Sequence, residues 1–458
     1  MKTITLFALG LMLAFSDTFA QENYKEVSGI YVGGHIRRQR PVTITRLRNS
    51  GFTYVILFNV HVDPDGTLKT DGETICKDGK YVFQQTQPHY QEDIAKLKTE
   101  PTSITRIDIC IGGWGNSSYS NIKNLINSQG TGSTSILYKN FKALKEAVPE
   151  IDAVNNDTEQ DYNNPTNEYN YDVNSAAKFH IMMYDIGYKT TFAPYTNKSY
   201  WTQLNDKIRA QRPDAVDRAM IQCYAGGAYN VGQVGNWNFN GVTERHAGLL
   251  KEGGPADDST KEFNDNMQQF QKWKDDGVAT GGFVWVYNDE GTWFPKNSTQ
   301  EDLLNTWASG MNRIFGAITV PENEVVVKCY SEKNYKGYCV SLPEGKFTQS
   351  DLAVYGLQAK DLSSLEILDD YHLVYLYKTT NCTGIRITRK ASSKALTTSY
   401  DNQVCSISVE PNPTAIKDIK SSEGHNNSEN FIYNISGQRL DKMHKGINIV
   451  NGKKIVVK

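Results

Sequence analysis

The sequence predicts an α/β chain: a (β/α)8 TIM barrel over residues 21–320, an all-β domain over 321–410, a linker over 411–430 and a small β-module over 431–458. Three observations predict it. Up to about Gly316, apolar β-rich runs alternate with longer amphipathic stretches, as repeated βα units do. Eight such runs spread over roughly 290 residues match the length of one barrel. Beyond Pro321, helical spacing gives way to short alternating strands with Gly and Asn at the turns.

In chain order, the first feature is Met1 to Ala20. Lys2, an apolar run from Ile4 to Phe15 and a small residue before Gln21 fit a secretory signal peptide, and the run is too short for a membrane span. Barrel strands are expected at Ser28 to Val32, Tyr54 to Phe58, Arg106 to Ile111, Ile151 to Asp157, Thr190 to Ala193, Ala219 to Tyr224, Ala247 to Leu250 and Gly282 to Val286. Helices are expected at Asn140 to Ala147, Ala176 to Ile186 and Phe263 to Asp275, where apolar residues recur on one face.

The all-β domain is expected to hold no helix. It contains a repeat of about 45 residues: Cys329 to Gly337 is echoed by Leu376 to Gly384, and Asp361 to Ile367 by Gln403 to Val409. Two similar β-units packed face to face follow from it. Pro411 to Asn430 carries prolines, serines and asparagines and reads as a linker. Phe431 to Lys458 predicts three short strands with turns at Ser436-Gly437 and Asn451-Gly452, too few residues to be stable alone.

Composition narrows the function classes. With 49 Lys+Arg against 51 Asp+Glu and 39% hydrophobic residues, the chain is neither disordered nor a basic protein in search of a polyanion, so no nucleic acid partner is expected. No later stretch approaches 18 apolar residues, so no transmembrane span is expected. The 26 Tyr suit either surfaces that stack on planar partners or aromatic-rich cores. Seven Cys leave at least one thiol free. Cys329 and Cys339, separated by a turn-like stretch, are open to a disulfide or to two unpaired strand positions. No HExxH or CxxC spacing supports zinc, and Gly226-Gly227 and Gly253-Gly254 read as turns.

The most specific local feature is Asp152-Ala153-Val154-Asn155-Asn156-Asp157-Thr158-Glu159 at the end of a predicted strand. Alternate strand residues share a face, so Asn155, Asp157 and Glu159 are expected to point together into the barrel mouth, where barrel chemistry is found. Two carboxyls in register can act as a unit, one held protonated while the other stays ionised.

The run resembles the D-x-x-D-x-D-x-E signature of chitinase-like glycoside hydrolases of family 18, with Asp152, Asp157 and Glu159 matching and Asn155 in place of the usual Asp. Ile109-Cys110-Ile111-Gly112-Gly113-Trp114 resembles that family's third-strand motif, with Cys110 in place of Ser. Ile221-Gln222-Cys223-Tyr224 resembles its sixth-strand motif, and Gly282-Phe283-Val284-Trp285 its eighth. The resemblance implies a secreted hydrolase cleaving β-1,4 linkages in N-acetylglucosamine-containing glycans (chitin, N-glycan core or peptidoglycan) by a retaining, substrate-assisted mechanism. Glu159 is then the acid, Asp157 and Tyr224 hold the substrate acetamido group, and Trp285, Gln222, Asp152 and Asn155 belong to the substrate site. An amide at 155 cannot titrate, so the rival expectation is a glycan-binding protein on a degenerate barrel. Trp114, Trp201, Trp237 and Trp293 can extend the cleft or pack inside. The segments His61 to His89 and Gln160 to Ser175 are the expected cleft walls.

In the all-β domain, the duplicated hairpin and the Asp361-Leu362-Ser363-Ser364-Leu365 motif resemble βγ-crystallin double Greek keys. Some members hold calcium, and Asp401, Asn402 and Ser406 are the candidate ligands here. Cys405 replaces a usual ligand and Lys360 opposes a cation in the other key, so binding is expected to be weak or absent and no other cofactor is expected. The last module resembles carboxyl-terminal sorting domains of Bacteroidetes proteins. That implies export across an outer membrane or attachment at a bacterial cell surface; the chain is expected to be a monomer that acts on a glycan or glycoprotein. A third possibility makes the barrel a scaffold and the crystallin-like part the attachment device.

Overall fold

The computed structural model describes residues 24–159, 171–251, 259–287, 300–414, 432–434, 437–450 and 453–457. The expected signal peptide, most of the linker, Gly253-Gly254 and Trp293 lie outside the described residues, as does most of the expected wall Gln160 to Ser175.

The strands of the first sheet are β1 (Ser28–Val32), β2 (Tyr54–Val62), β3 (Leu68–Thr70), β4 (Glu73–Lys77), β5 (Lys80–Tyr81), β6 (Arg106–Gly112), β7 (Ala153–Asp157), β8 (Lys189–Phe192), β9 (Val216–Gln222), β10 (Glu244–Leu250) and β11 (Gly281–Tyr287). Eight of them are parallel and close into a barrel in the order β1-β11-β10-β9-β8-β7-β6-β2, with β2 returning to β1. All eight expected strands are present, shifted by a few residues at their ends. Helices follow the strands, among them Ile136–Ala147, Val173–Ile186 and Ser259–Asp275, which contain the three expected ones. The segment after β2 is an antiparallel extension of the sheet, β3-β4-β5, rather than a loop. It is fixed by Asn140, which accepts from Gly79 N at 2.7 Å and donates to the Gly66 carbonyl at 2.7 Å.

Strand alternation sorts the barrel interior into layers. At the floor, where the strands begin, Arg106 bonds Asp108 and Asp217, each at 2.7 Å, and Thr191 at 2.9 Å. Arg218 pairs with Glu26 and lies 4.5 Å from the Tyr54 ring, whose hydroxyl meets His246 Nδ1 at 2.6 Å. Burial pushes His246 down to about 4, so this layer holds a neutral imidazole. Above it, Tyr31, Ile56, Cys110, Met220 and Phe283 pack as an apolar middle layer. The outward residues of the same strands, such as Ile30, Val55, Ile109, Val154 and Ile221, join the helices in the larger core.

The second domain comprises β12 (Val327–Glu332), β13 (Lys336–Leu342), β14 (Gly345–Phe347), β15 (Ser364–Ile367), β16 (His372–Tyr377), β17 (Arg386–Arg389) and β18 (Ser406–Pro411). They form sheets ordered β13-β12-β15 and β14-β18-β16-β17. The halves exchange segments: β14 of the first half joins the second sheet, and Ser393 of the second half bridges to Leu365 in the first. Contrary to expectation, a helix is present at Gln349–Val354. Thr348 and Asp351 cap each other there in a capping box, a signal too short to register as periodicity. None of the seven cysteines is in a disulfide. Cys329 lies opposite Val340, and Cys339 opposite Tyr330, so the two thiols point to opposite faces of their sheet. The last module has four strands rather than three: β19 (Ile432–Asn434), β20 (Arg439–Leu440), β21 (Gly446–Val450) and β22 (Lys453–Val457). The added strand, β20, is only two residues long. No helix among the described residues is long and apolar enough to cross a membrane.

The second domain docks at the barrel floor. The buried Asn312, on the helix Gln300–Phe315, accepts from Ser28 Oγ at 2.7 Å and donates to the carbonyls of Gly51 at 2.8 Å and Ala353 at 3.0 Å. Asn305 Oδ1 accepts from Ala359 N at 2.8 Å, and the Arg313 guanidinium lies 3.9 Å from the Tyr338 ring. Gly51 has φ +90°, and a Cβ there would fall 2.2 Å from the Ala353 Cβ. Gly51→Val is therefore expected to cost roughly 1–3 kcal/mol at this contact. Limited proteolysis should then release the second domain from the variant and leave wild type whole; equal resistance of the two would refute the docking.

Candidate active site

At the upper end of β7 the chain is gripped by a glycine pair. Gly112 has φ +111°, and a Cβ on it would fall 2.2 Å from the Asp157 carbonyl oxygen; Gly113 N donates to that same oxygen at 2.8 Å. Only residues without a side chain let the end of β6 come this close. Asp157 is thereby fixed inside the mouth.

The Asp157 carboxylate is buried. Its Oδ1 accepts from Gln222 Nε2 at 2.8 Å, and Oδ2 faces the Cys110 thiol at 3.8 Å. Gln222 also donates to the Ala193 carbonyl at 3.0 Å, so its amide is held from below. Glu159, half-buried, lines the cavity beside Asp157, and its charge acts on the Asp157 carboxyl. Burial pushes the Asp157 carboxyl well above the carboxylate range, and the charge of Glu159 pushes the same way. Burial also raises Glu159, against the influence of the neighbouring Asp157 and Gln222, which favour its ionised form. The two form one acidic unit that retains a proton to higher pH than an isolated carboxyl.

Around this unit lies a cavity of about 530 Å³ lined by Phe58, Gly113, Trp114, Glu159, Tyr195, Gln222, Tyr224, Ala225, Gly226, Leu250 and Trp285. Its size is that of a small-molecule site, with aromatic walls and few polar groups. Tyr224 and Trp285 lie nearly parallel, 18° apart with centroids 6.4 Å apart, and Trp285 is braced edge-on by Phe58 at 4.7 Å and Tyr31 at 5.0 Å. The peptide bonds Phe58–Asn59 and Trp285–Val286 are cis. Burial, then the charges of Asp157 and Glu159, push the Tyr224 phenol up, so it remains a hydrogen-bond donor.

The structure brings together Asp157, Glu159, Gln222, Tyr224 and Trp285, and separates two others from them. Asp152 stands at the opposite end of β7, roughly 16 Å away along the strand. There it takes Lys98 Nζ at 2.9 and 3.0 Å and Ile107 N at 2.8 Å, a floor anchor rather than a substrate contact. Asn155 shares the inward face with Asp157 but lies fully buried one layer lower. It accepts from Tyr31 OH at 3.0 Å, and its Nδ2 meets Met220 Sδ at 3.5 Å. Trp114 is 77% exposed at the rim, while Trp201 and Trp237 are buried.

Phe58, Tyr195 and Leu250 are cavity residues that the sequence analysis did not assign to the site. Both strand residues are at inward parity, Phe58 midway along β2 and Leu250 at the end of β10, and that parity was the available signal. Tyr195 lies two residues past Ala193, and its hydroxyl holds the Glu159 carbonyl at 2.6 Å.

Among the described residues, no group of three or more His, Cys, Asp or Glu is placed to hold a metal. The calcium candidates are engaged otherwise. Asp401 Oδ2 meets Lys333 Nζ at 2.8 Å, Asn402 Oδ1 accepts from Ser363 Oγ at 3.0 Å, and Ser406 Oγ donates to the Thr379 carbonyl at 2.6 Å.

No family model and no curated protein matches this chain. Among solved structures, a βγ-crystallin domain from Flavobacterium johnsoniae is similar at 29% identity and TM-score 0.19, covering 20% of this chain and 99% of that one. The N-terminal domain of protein S is similar at 26% identity and TM-score 0.18, covering 19% and 96%. A βγ-crystallin domain from Clostridium beijerinckii is similar at 25% identity and TM-score 0.18, covering 19% and 97%.

A carboxyl whose pKa is higher folded than unfolded costs stability as pH rises from about 4 through its folded value. Asp157→Asn removes that cost. The variant is expected to melt several degrees above wild type at pH 7 and to lose the advantage near pH 4; equal melting at both pH values would refute the raised carboxyl.

Proposed function

We propose that this chain is a secreted glycoside hydrolase of the chitinase or endo-β-N-acetylglucosaminidase type, built on a TIM barrel that resembles family 18, with a βγ-crystallin-like double Greek key behind it. The observation that carries the reading is the Asp157–Glu159 unit, which retains a proton beneath an aromatic cavity at the carboxyl end of the barrel strands.

The unit holds the proton that a substrate-assisted cleavage needs. When the proton passes to Glu159, Asp157 is left ionised. Glu159 gives the proton to the glycosidic oxygen as the C1–O bond breaks, and the substrate's own 2-acetamido oxygen closes on C1 to form an oxazolinium. Asp157 accepts from the acetamido N–H and balances the positive charge, while Tyr224 donates to the acetamido oxygen. Water, deprotonated by Glu159, then opens the ring at C1, restores the original configuration and returns the proton to the enzyme. Trp285 forms the floor under the scissile sugar, and Gln222 keeps Asp157 turned toward the cavity.

The second reading, a glycan-binding protein without turnover, is favoured by Asn155. It cannot titrate, and it spends its carbonyl on Tyr31 rather than on Asp157. Product release from chitin oligosaccharides, an N-glycoprotein and peptidoglycan separates the two readings. Glu159→Gln is expected to lower release at least about a hundredfold while binding persists. Binding by wild type with no release from any of these would transfer the proposal to the second reading. In the second domain, the ammonium of Lys333 already faces Asp401, so millimolar calcium is expected to leave the melting temperature unchanged. A rise of several degrees would overturn this.

A further inference from the structure

Behind the acidic unit, on the outer face of β7, runs a chain of buried polar side chains that the catalytic reading does not use. Asn156 Oδ1 accepts from Thr158 N at 3.1 Å and Thr158 Oγ1 at 2.5 Å. Because that oxygen is committed to a backbone N–H, the atom facing His180 is the amide nitrogen, 2.8 Å from Nε2. Nε2 must therefore accept, the ring hydrogen sits on Nδ1, and Nδ1 donates to Thr190 Oγ1 at 3.1 Å. All four side chains are buried, and Phe179 and Phe192 stand against the imidazole.

One backbone N–H thus orients the whole chain, and the chain in turn fixes a turn. The Asn156 oxygen closes the backbone over Asp157 onto Thr158, so the residue after Thr158 comes back over the barrel mouth. That residue is Glu159. Its carbonyl is tied on the other side by Tyr195 OH. The helix Val173–Ile186, which carries His180, and β8, which carries Thr190, therefore register the height of Glu159 over Asp157.

We propose that Asn156 and His180 are positioning residues: the Thr190–His180–Asn156–Thr158 relay sets the separation of Glu159 from Asp157 and so lets the two carboxyls share one proton. This rests on the hydrolase reading for its kinetic consequence, but not for its geometry.

The test uses full-length protein. His180→Gln keeps the polarity of the relay, since a Gln carbonyl accepts from Asn156 and its amide donates to Thr190. His180→Leu and Asn156→Ala break it. The broken variants are expected to lose roughly tenfold to a hundredfold in kcat at unchanged KM, with the double variant no worse than either single. His180→Gln should stay within about twofold of wild type, the mark of a relay rather than of packing volume. In parallel, carboxyl-carbon NMR titration should show two well-separated steps for Asp157 and Glu159 in wild type and in His180→Gln, drawn together in His180→Leu. If wild type turns over no substrate, the hydrolase reading fails while the titration still decides the relay. Identical titration of His180→Leu and wild type, or equal kinetic loss in the Leu and Gln variants, would overturn it.

Discussion

Side-chain alternation along eight parallel strands in a closed ring is the constraint on which the molecule depends. Each strand sends every second residue inward, and closure of β1 on β2 leaves no free edge in the ring, so the inward residues stack into levels. Level by level, the interior changes from ion pairs at the floor to apolar packing to an acidic mouth walled by aromatic rings. The same strands bury Ile109, Val154 and Ile221 outward against the helices. One run of sequence therefore serves the core and the site at once, and Asn156 with Asp157 is the sharpest case. Neighbours in sequence, they face opposite sides of the wall, one toward His180 and the other toward the cavity.

This alternation also explains what the sequence made legible. Strands were readable as apolar runs, and Asp157, Glu159, Gln222, Tyr224 and Trp285 were readable because parity and strand ends place them together. Asp152 was misplaced because a spacing within a motif carries no information about height. Five residues before Asp157, it belongs to the floor and to Lys98. Asn155 has the right parity but sits one level too low. Tyr195 and Tyr31 could not be found from their own neighbourhoods, because what makes them matter is a partner 36 or 124 residues away. The helix at Gln349–Val354 escaped for a different reason: six residues cannot display a helical period, and only its cap gives it away.

The acidic unit illustrates how burial and pairing divide the work. Burial alone would raise both carboxyls and leave them protonated and inert. The Gln222 amide donates to Asp157 and favours its ionised form, in opposition to burial. The Cys110 thiol, where a hydroxyl would give a stronger bond, contributes weakly at 3.8 Å. The balance is struck by a few dipoles aimed at one carboxylate, which is why the residues that fix those dipoles matter as much as the acids themselves.

The layering of the barrel has an evolutionary corollary. Ion pairs among Glu26, Arg106, Asp108, Asp217 and Arg218 lie at the floor, and Tyr31, Cys110, Met220 and Phe283 fill the level above. None of the floor residues lines the cavity, and the docked second domain contacts the floor rather than the mouth. Inherited change can therefore accumulate at the rim, at positions such as Trp114, Ala225 and Gly226, while the determinants of folding are left alone. A lineage built on this chain is free to reshape its cavity through a surface whose failures are not lethal to the fold.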